Sequence, residues 1–558
     1  MTSRQSPATR YFIDDMHRDL DRLSHETFDL LVIGGGVTGA CIARDAALRG
    51  LSVALIEKND FAHATSAHNS KLIHGGLRYL RNFELSLVRE SLKERRIWQR
   101  TAPHLVNPLP FLVPIYGGGL QARATLAAGL TLYDLLSFDR GWLDDPAQRL
   151  PGHHWLGAGK ALAREPRLDG PGLQGAFVYS DAQMYAPERL AFECVLDATL
   201  KGAAAANHVE AESLLVRAGK VEGATVRDTF SDAHFDIRAK LTVVAAGPWA
   251  DIFLGRALGS TSQHKLRRSK GIHLIVPQMT HADALTIATK HGHFFVLPWR
   301  GHSIVGTTDT AFDGSPDAVG VTETDIEHFL AFVNAHLPKA QLNRSDVEHF
   351  YAGLRPLVDD GTGDTYDASR RAELIDHSSD GEIDGLVSVV GGKWTTSRNL
   401  AQNAVTLAVH KLGVHTRDCT TSHARFPGGN IARMDAFLAQ ARAANGTVTG
   451  IDHVARLYGT RLEQVLALTK SQPELLSPLG STGDIGAQVT FAVREEMALT
   501  LEDVVMRRTG IGQLGDPGEK TLETVGLMMA AELGWSEARK RAEINNLYPI
   551  FKTARTPA

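Results

Sequence analysis

The sequence predicts an α/β protein of three parts: a parallel-sheet domain that is interrupted along the chain, a domain on an antiparallel sheet, and a C-terminal helical domain. Three observations support this prediction. An apolar strand, a glycine-rich turn and a helix follow one another within residues 28–58. Short apolar runs alternate with turn residues over 263–354. Beyond residue 413 the pattern is helical, and 558 residues exceed what one core organises.

The bulk composition argues against several classes of protein. Lys plus Arg number 59 against 63 Asp plus Glu, a net charge of −4, which gives no support for nucleic-acid binding. The three cysteines lack CxxC or metal-ligand spacing, so we predict no metal site and a reducing compartment. No apolar run reaches the roughly 18 residues that span a bilayer, and the N-terminus lacks the apolar core of a secretory signal. We therefore expect a cytoplasmic protein.

Residues 28–58 follow the order of a dinucleotide-binding unit: strand, glycine turn, helix, strand, acidic residue. The first strand is the apolar run 28–33, and the helix ends before Gly50, a suitable left-handed C-terminal glycine. The second strand, 51–56, runs into Glu57. A lone GxGxxG is weak evidence, but the complete order favours a Rossmann-like domain. This unit alone does not decide between FAD and NAD.

Each position of the glycine turn has a physical task. Gly34 permits the tight turn, Gly36 lets a pyrophosphate approach the backbone, and Gly39 lets the helix pack closely on the strands. Free N–H groups of the turn, which includes Thr38, and the positive end of the helix dipole meet the phosphates. Glu57 suits hydrogen bonds to the adenosine ribose.

A distinctive loop follows the second strand. It reads ATS at 64–66 and SKLIHGGLRYL at 70–80. This segment strongly resembles the FAD-dependent glycerol-3-phosphate dehydrogenases, within the amino-acid-oxidase-like flavoprotein superfamily. The resemblance implies that the loop runs past the flavin and supplies a set of cofactor contacts: Lys58, Thr65, Ser66, Ser70, Lys71 and Leu72.

Further matches to this family occur in order over residues 28–550. They are VVAAGPWA at 243–250, KGIHLIVP at 270–277, LPW at 297–299, IVGTTD at 304–309, GLRPL at 353–357, GGKWTT at 391–396 and LEDVVMRRT at 501–509. The resemblance implies a second FAD contact at Ala246, Gly247 and Trp249. The chain departs from the family in an N-terminal extension and at Trp394, where a smaller apolar residue is usual.

Oxidation of a secondary alcohol by a flavin requires a base, a hydride acceptor and groups that hold the substrate in line. A phosphorylated substrate also requires cationic donors. Arg355 precedes the rigid Pro356, and Arg78 follows a Gly-Gly turn beside the Tyr79 hydroxyl. We predict that Arg355, Arg78 and Tyr79 bind the substrate. A surface salt bridge is the alternative for Arg355.

Two histidines are candidate bases, because histidine is the side chain most often tuned for proton transfer near neutral pH. His74 ranks first, since the following Gly-Gly allows a ring to approach closely. His273 ranks second, as a base or as a ligand of the substrate or product oxygen. The chain contains 24 histidines, so most must have other roles.

Gly392 and Lys393 lead into a predicted helix with Thr395 or Thr396 as its N-cap. The helix N-terminus and Lys393, which also serves as a substrate-binding candidate, would stabilise the reduced flavin near its N1–O2 edge. Trp394 and Thr395 complete these cofactor contacts. A capped helix with a solvated lysine is the alternative.

The predicted domains are an N-terminal extension at 1–27; a discontinuous FAD-binding domain at 28–108, 168–262 and 355–412; a substrate-binding domain at 109–167 and 263–354; and a helical domain at 413–558. The predicted reaction is FAD-dependent oxidation of sn-glycerol 3-phosphate to dihydroxyacetone phosphate, with hydride transfer to flavin N5 and electrons passed to a quinone. Competing functions are an amino-acid or amine oxidase, a glycerol-3-phosphate oxidase that uses O2, and a flavin protein without turnover.

The resemblance implies peripheral association with the inner face of the cytoplasmic membrane. Two segments are candidate membrane surfaces, 120–138 and 535–551, because each combines apolar and basic residues. An ordinary helix packed on its own domain is the alternative for both. The sequence leaves a homodimer open.

Overall fold

The computed structural model describes residues 16–117, 119–259, 266–280, 282–289, 292–358, 372–379 and 383–554. Strands and helices are numbered along the chain. Most of the predicted N-terminal extension, residues 1–15, lies outside these ranges, as does the predicted domain boundary at 262–263. The described part of the extension contains helix α1 (Leu20–His25).

Within the described chain, eight strands form the first sheet. They are β1 (Thr27–Ile33), β2 (Val53–Ile56), β7 (Ala204–Ala206), β8 (Val209–Arg217), β9 (Lys220–Asp228), β10 (His234–Val244), β17 (Ala372–Asp376) and β18 (Leu386–Gly391). The strands β18, β10, β1, β2 and β7 lie parallel in that order. Strand β17 is antiparallel at one edge, and the hairpin β8–β9 joins β10. This parallel order confirms the Rossmann-like domain.

The first strand explains why its sequence is a continuous apolar run. Leu30 and Val32 belong to one hydrophobic core, and Leu31 and Ile33 belong to the core on the opposite face. A strand that is covered on both faces needs apolar side chains at every position. The helix that follows, α2 (Val37–Arg49), ends before Gly50, whose φ is +94°, as predicted.

Ten further strands of the described residues form the second sheet. They are β3 (Leu72–Ile73), β4 (Val106–Tyr116), β5 (His154–Gly157), β6 (Leu173–Met184), β11 (Leu266–Pro277), β12 (Ala284–Thr289), β13 (Gly292–Trp299), β14 (His302–Gly306), β15 (Thr310–Ala311) and β16 (His349–Val358). Its pairs are antiparallel except for β4 with β12, in agreement with the predicted antiparallel sheet.

The second sheet includes segments that the predicted boundaries assign to the FAD-binding domain. Strand β6 falls within 168–262, yet it pairs with β4 along its whole length. Strand β3 falls within 28–108, yet it pairs with β6. The reason is hydrogen bonding between distant segments, which local patterns do not reveal. The remaining boundaries stay predictions.

The remaining helices of the described chain surround the sheets and build the C-terminal part. They are α3 (Leu85–Thr101), α4 (Gly119–Leu136), α5 (Ala158–Arg164), α6 (Pro187–Leu200), α7 (Ala250–Leu258), α8 (Glu323–His336), α9 (Ser397–Leu412), α10 (Met434–Asn445), α11 (Ile451–Tyr458), α12 (Leu462–Ala467), α13 (Gly486–Glu495), α14 (Glu519–Leu533) and α15 (Glu537–Leu547). Beyond residue 413 the only described strands are the short β19 (Pro478–Leu479) and β20 (Asp484–Ile485), which agrees with a helical C-terminal region. Among the described residues, no helix is both long and apolar enough to cross a membrane.

Candidate active site

A cleft of about 1240 Å³ runs from the glycine turn after β1 to the second sheet. Its walls come from the loop between β2 and α3, one face of α4, the strand β13, and the segment that joins β18 to α9. The cleft therefore lies where both sheets contribute side chains. Such a concave site between two layers is where a cofactor and a substrate can meet.

Most of the predicted site residues line this cleft. They are Gly34, Gly36, Thr38, Glu57, Lys58, Thr65, Ser66, Ser70, Leu72, His74, Arg78, Tyr79, Ala246, Gly247, Trp249, Arg355, Gly392, Lys393, Trp394 and Thr395. Three predicted residues, Gly39, Lys71 and His273, do not line it.

The glycine turn has the geometry of a diphosphate cradle. Gly34 has a φ of +111°, and a Cβ there would lie 2.6 Å from the carbonyl oxygen of Ala245. A Cβ on Gly39 would lie 1.9 Å from the carbonyl oxygen of Gly34, so this glycine supports the turn from beneath. A Cβ on Gly36 would meet only the Ser66 hydroxyl within 4 Å, at 3.2 Å, so its backbone is open to a ligand. These positions fit a pyrophosphate above the start of α2.

Glu57 is held at the end of β2 by backbone donors. Its Oε2 accepts a hydrogen bond of 2.7 Å from Gly35 N, and its Oε1 accepts one of 3.0 Å from Asn59 N. A carboxylate has about four acceptor positions, so two such bonds leave capacity for ribose hydroxyls. The Glu57 carboxylate can therefore accept hydrogen bonds from the ribose in the adenosine half of a dinucleotide.

At the glycine-turn end of the cleft, polar contacts join segments that follow strands of the two sheets: Lys58 after β2 and Trp249 after β10 meet Asp317 after β15. Lys58 Nζ donates to Asp317 Oδ1 at 2.7 Å, and Trp249 Nε1 donates to the same oxygen at 3.0 Å. Lys58 also lies 4.3 Å from the Trp249 ring centroid. Asp317 was not predicted from the sequence, because nothing in its local pattern marks it.

Trp394, the departure from the family pattern, is fixed by two contacts. Its indole Nε1 donates to Ser66 O at 3.1 Å, and its ring lies 5.1 Å from that of Trp98. Trp98 Nε1 in turn donates to Thr395 O at 3.0 Å. The segment before α9 is thus tied to the loop of Ser66. Thr396 is the N-cap residue of α9, but its side chain makes no capping hydrogen bond.

The opposite end of the cleft is cationic. Lys393 Nζ donates to Ser91 Oγ at 2.6 Å and lies 4.5 Å from the Tyr79 ring centroid. The Arg78 guanidinium carbon lies 5.0 Å from the same centroid. The Tyr79 ring is therefore flanked by two cations, an arrangement that fixes both charges beside His74.

The pKa values at this end have a common cause. Burial, together with the charges of Lys393, Arg78 and Arg95, lowers the pKa of His74 to about 3. Burial, Arg78 and His74 lower the pKa of His293 to about 4. Burial also lowers the pKa of Lys393, with a further contribution from Arg78. Burial disfavours charge of either sign, but the charges of Lys393, Arg78 and Arg95 around His74 are all positive, so this end of the cleft is suited to an anion.

Arg355 lies on β16 and is held by the neighbouring strands. Its Nη1 donates to Ser269 Oγ at 3.1 Å, and its Nη2 donates to Thr307 Oγ1 at 2.9 Å. An oxygen of Asp309 lies 3.7 Å from Nη1. A Cβ on Gly271 would lie 2.4 Å from Nη2, so that glycine makes room for the guanidinium. Arg355 is therefore a rigidly placed cation that also makes an ion pair.

His273 and Lys71 lie behind the cleft wall. His273 is 2% exposed; its Nε2 lies 2.9 Å from Ser70 Oγ, and its ring stacks on Tyr351 at 5.0 Å. Burial and the nearby Arg355 charge lower the pKa of His273. Lys71 is buried, with Nζ 3.9 Å from Glu188 Oε2. In this arrangement the His273 ring does not line the cleft but contacts Ser70, which does.

Several cleft residues were not predicted. Thr307, Thr308 and Asp309 surround Arg355, and their IVGTTD run could have drawn attention to them. His293 and Phe295 lie on β13, where their rings meet edge to face at 4.8 Å. No local signal distinguishes His293 from the other histidines, because its role depends on the approach of Arg78 and His74 from a distant segment.

Comparison with known proteins now identifies the family. A profile described as FAD dependent oxidoreductase matches residues 29–398, and one described as the C-terminal domain of alpha-glycerophosphate oxidase matches residues 419–540. The chain is 36% identical over 551 residues to a glycerol-3-phosphate dehydrogenase of Synechocystis sp., covering 96% of this chain and 98% of that protein. The chain belongs to the FAD-dependent glycerol-3-phosphate dehydrogenase family. FAD rather than NAD is thus the dinucleotide, which the glycine motif had left undecided.

Other members of this glycerol-3-phosphate dehydrogenase family match over similar lengths. The aerobic glycerol-3-phosphate dehydrogenase of Bacillus subtilis is 30% identical, with 97% of each chain covered. The structure of a glycerol-3-phosphate dehydrogenase from Bacillus halodurans complexed with FAD is 30% identical, covers 96% of this chain and 97% of that one, and has a TM-score of 0.75. A glycine oxidase from Bacillus cereus, 20% identical with a TM-score of 0.51 over 69% of this chain, shares the fold alone.

Proposed function

We propose that this protein oxidises the C2 hydroxyl of sn-glycerol 3-phosphate to the ketone of dihydroxyacetone phosphate. The observation that carries the proposal is the cationic end of the cleft, where Arg78, Lys393 and His74 converge. Burial is the first cause of the lowered pKa of His74, and the positive charges of Lys393 and Arg78 add to it; a bound dianion would neutralise that second contribution. The names of the family members support the same substrate.

The phosphate would be bound by Arg78, Lys393 and the Tyr79 hydroxyl. Two cations fixed around one aromatic ring provide charge-assisted hydrogen bonds without further ordering of the side chains. Arg355, held by Ser269 and Thr307, would bind the oxygen at C2 and stabilise it as the proton leaves. The bound FAD supplies the hydride acceptor at N5.

His74 is the proposed base because it lines the cleft beside these cations. With a pKa of about 3 in the free protein, it is neutral at physiological pH and can accept a proton. A bound phosphate dianion would raise that pKa and so increase the basicity of the imidazole. His273 is the second candidate and would act through the Ser70 hydroxyl, 2.9 Å away.

The most direct test is anaerobic addition of glycerol 3-phosphate to the FAD-loaded protein. Bleaching of the visible flavin absorbance is the expected result, and glycine, sarcosine and D-amino acids should leave it unchanged. Bleaching by an amine but not by glycerol 3-phosphate would favour the amino-acid or amine oxidase instead. A flavin that responds to none of these compounds would indicate a protein without turnover.

Arg355→Ala tests the proposed role of Arg355 at the C2 oxygen. We expect slower dye reduction, because removal of one donor to a developing oxyanion costs about 10²- to 10³-fold. Arg344→Ala is the control, since that exposed arginine pairs with Glu323 on helix α8, outside the cleft. Unchanged turnover and unchanged KM for glycerol 3-phosphate in Arg355→Ala would remove Arg355 from the site.

We further propose that the protein docks on a membrane through α4 and the turn after it. Five large apolar side chains are exposed there: Leu120 at 79%, Leu132 at 36%, Leu135 at 66%, Phe138 at 60% and Trp142 at 64%. Only two residues of this 18-residue helix are buried. The other candidate membrane surface, 535–551, is better explained as an ordinary helix packed on its own domain, because α15 buries Ile544 and Leu547 there.

Basic side chains accompany the exposed apolar residues of α4. The guanidinium carbon of Arg89 lies 4.5 Å from the Phe138 ring centroid, and that of Arg96 lies 5.5 Å from the Trp142 centroid. Both arginines also pair with Asp139, so the surface is mainly apolar, as suits the interfacial region of a bilayer. The opposite face of α4 lines the cleft at Gln121, Thr125 and Leu126. A lipid-soluble quinone could therefore approach the flavin along this helix.

Flotation with anionic liposomes tests the docking surface. We expect Leu135→Glu to leave more protein in the soluble fraction. Leu527→Glu is the matched control, because that leucine is 56% exposed on α14 in the C-terminal region. Equal flotation of parent and both variants would count against α4, and absence of flotation in the parent would count against docking.

Quinone is the proposed electron acceptor. Rapid peroxide formation in the absence of quinone or dye would indicate the oxidase instead. The homodimer stays a prediction.

A further inference from the structure

Asp60 lies in the loop directly after Glu57 and is completely buried. Its Oδ2 accepts hydrogen bonds from Arg507 Nε at 2.6 Å and from Arg508 Nη1 at 2.7 Å. Its Oδ1 accepts one from Arg508 Nη2 at 2.8 Å and one from Asn207 Nδ2 at 2.9 Å. Both carboxylate oxygens are thus bound, and Arg508 grips them in bidentate fashion.

The two arginines belong to the C-terminal helical region, far from Asp60 in sequence. They end the π-helical turn Asp503–Arg508. Arg508 is fully buried: its Nε donates to Glu496 O at 3.0 Å, and its guanidinium lies 4.2 Å from the Phe192 ring centroid. The arginine is fixed from several sides, so it can in turn fix Asp60.

Arg507 is held in the same way. Its Nη2 donates to Asp503 Oδ1 at 2.9 Å, and its Nη1 donates to Glu502 Oε1 at 2.7 Å. His208 Nε2 lies 3.0 Å from the other oxygen of Asp503. A metal ion could in principle be bound by the cluster of Asp60, Asp503 and His208. However, the guanidinium groups of Arg507 and Arg508 already neutralise its carboxylates.

The residues on either side of Asp60 shape the dinucleotide cradle. Asn59 N donates to the Glu57 carboxylate at 3.0 Å. Phe61 packs so closely on the glycine turn that a Cβ on Gly35 would lie 2.6 Å from its Cδ1. Ala62 N donates to Gly35 O at 3.0 Å. The loop 59–62 therefore contacts both Glu57, the proposed ligand of the ribose, and Gly35 in the middle of the glycine turn.

We infer that Arg507 and Arg508 are positioning residues for the FAD site: they hold Asp60, and through loop 59–62 they orient Glu57 and the turn at Gly35. The C-terminal region thereby helps to determine FAD affinity, although Arg507 and Arg508 do not line the cleft. An outer contact of this kind acts by fixing the ligands that do touch the bound group. The inference depends on FAD in the cleft and not on which alcohol is oxidised.

Three variants test it: Arg508→Lys, which keeps the charge but removes the bidentate grip, Asp60→Asn, and the control Arg461→Lys. Arg461 is another largely buried arginine of the C-terminal region, paired with Glu496 at 2.9 Å, and no hydrogen bond joins its described side chain to loop 59–62. FAD is titrated into each flavin-free protein, and the dissociation constant is read from the quenching of flavin fluorescence.

We expect Arg508→Lys and Asp60→Asn to raise the Kd for FAD by about tenfold or more. Hydrogen exchange of the backbone amides at 59–62 should accelerate in both flavin-free variants. Arg461→Lys should lower the denaturation midpoint without changing either quantity. Parent-like FAD affinity in Arg508→Lys, or an equal loss of affinity in Arg461→Lys, would overturn the inference.

If Arg508→Lys gives no folded protein, Arg507→Lys takes its place. The Kd for FAD and the hydrogen exchange at 59–62 then decide whether the inference holds. A failure of glycerol 3-phosphate to reduce the flavin would leave this test unaffected, so the two proposals can fail separately.

Discussion

The two ends of the cleft are built by different means. The dinucleotide end uses backbone geometry from one stretch of chain, where Gly34, Gly36 and Gly39 form the turn and Glu57 closes it. The cationic end uses side chains from distant segments, among them Arg78 and Lys393. The first end tolerates almost no added atom, whereas the second depends on the sum of several charges. Changes at the first should therefore abolish cofactor binding, and changes at the second should alter turnover while FAD stays bound.

The largest expected effect follows from Gly39→Ala. The new Cβ would lie 1.9 Å from the carbonyl oxygen of Gly34, so the turn must open, and we expect protein without bound flavin. Gly159→Ala on α5 is a matched helical control, because a Cβ there meets nothing within 4 Å. The flavin-to-protein absorbance ratio of the purified variants measures the outcome. A Gly39→Ala protein with a full complement of FAD would remove the distinction between the two ends.

Arg78→Ala should have the next largest effect. We expect kcat/KM for glycerol 3-phosphate to fall by about 10²- to 10³-fold, because a charged donor to the bound anion is lost. The FAD content should equal that of the parent, since Arg78 belongs to the cationic end. Steady-state dye reduction and the flavin spectrum provide both measurements. Loss of flavin together with activity would show that the ends are not independent.

Lys393→Arg should shift a pH profile and have a smaller effect on rate. The pKa of Lys393 is lowered by burial, so the free protein loses this charge below the pH at which an ordinary lysine would lose it. The alkaline limb of kcat/KM should therefore move to higher pH in the variant, because a guanidinium stays protonated. An alkaline limb at the same pH in parent and variant would assign it to another group.

The smallest expected change concerns individual histidines. Binding of glycerol 3-phosphate should raise the pKa values of His74 and His293 from about 3 and about 4, since both are lowered in part by the cations that the anion would neutralise. His68 is not part of the cleft lining, and after burial its pKa of about 3 is lowered by the charges of His63 and Lys71 and not by those of Arg78 or Lys393, so it should not respond. Histidine-labelled NMR titration with and without substrate compares them. A shift of His68 equal to that of His74 would contradict a local effect of the anion.

Local patterns predicted a large part of the fold. The unit β1–α2–β2 was correct to within a few residues because its strand, turn and cap each depend on neighbours in sequence. Strand β6 lies within the predicted FAD-binding segment 168–262 but pairs with β4 in the second sheet, and hydrogen bonding over a long sequence separation decides that pairing. Helix α4 was predicted as a helix, but its unpacked outer face follows from what surrounds it in space.

For the candidate site, the sequence identified the residue types but not all of their positions. Arg78, Lys393 and Arg355 line the cleft, where their roles stay predictions, whereas the His273 ring lies behind Ser70. His293 lies in the site although no motif marks it, because the fold brings β13 beside Arg78 and His74 of one distant loop.

What the sequence determined by itself is the dinucleotide cradle, since a glycine turn, a helix N-terminus and a following carboxylate all belong to the one stretch 34–57. The tertiary structure decided which cations share one space, which histidine faces the cleft, and that Asp60 meets Arg507 and Arg508. Those outcomes depend on the packing of two sheets and a helical region, and packing selects among contacts that are equally compatible with the local sequence.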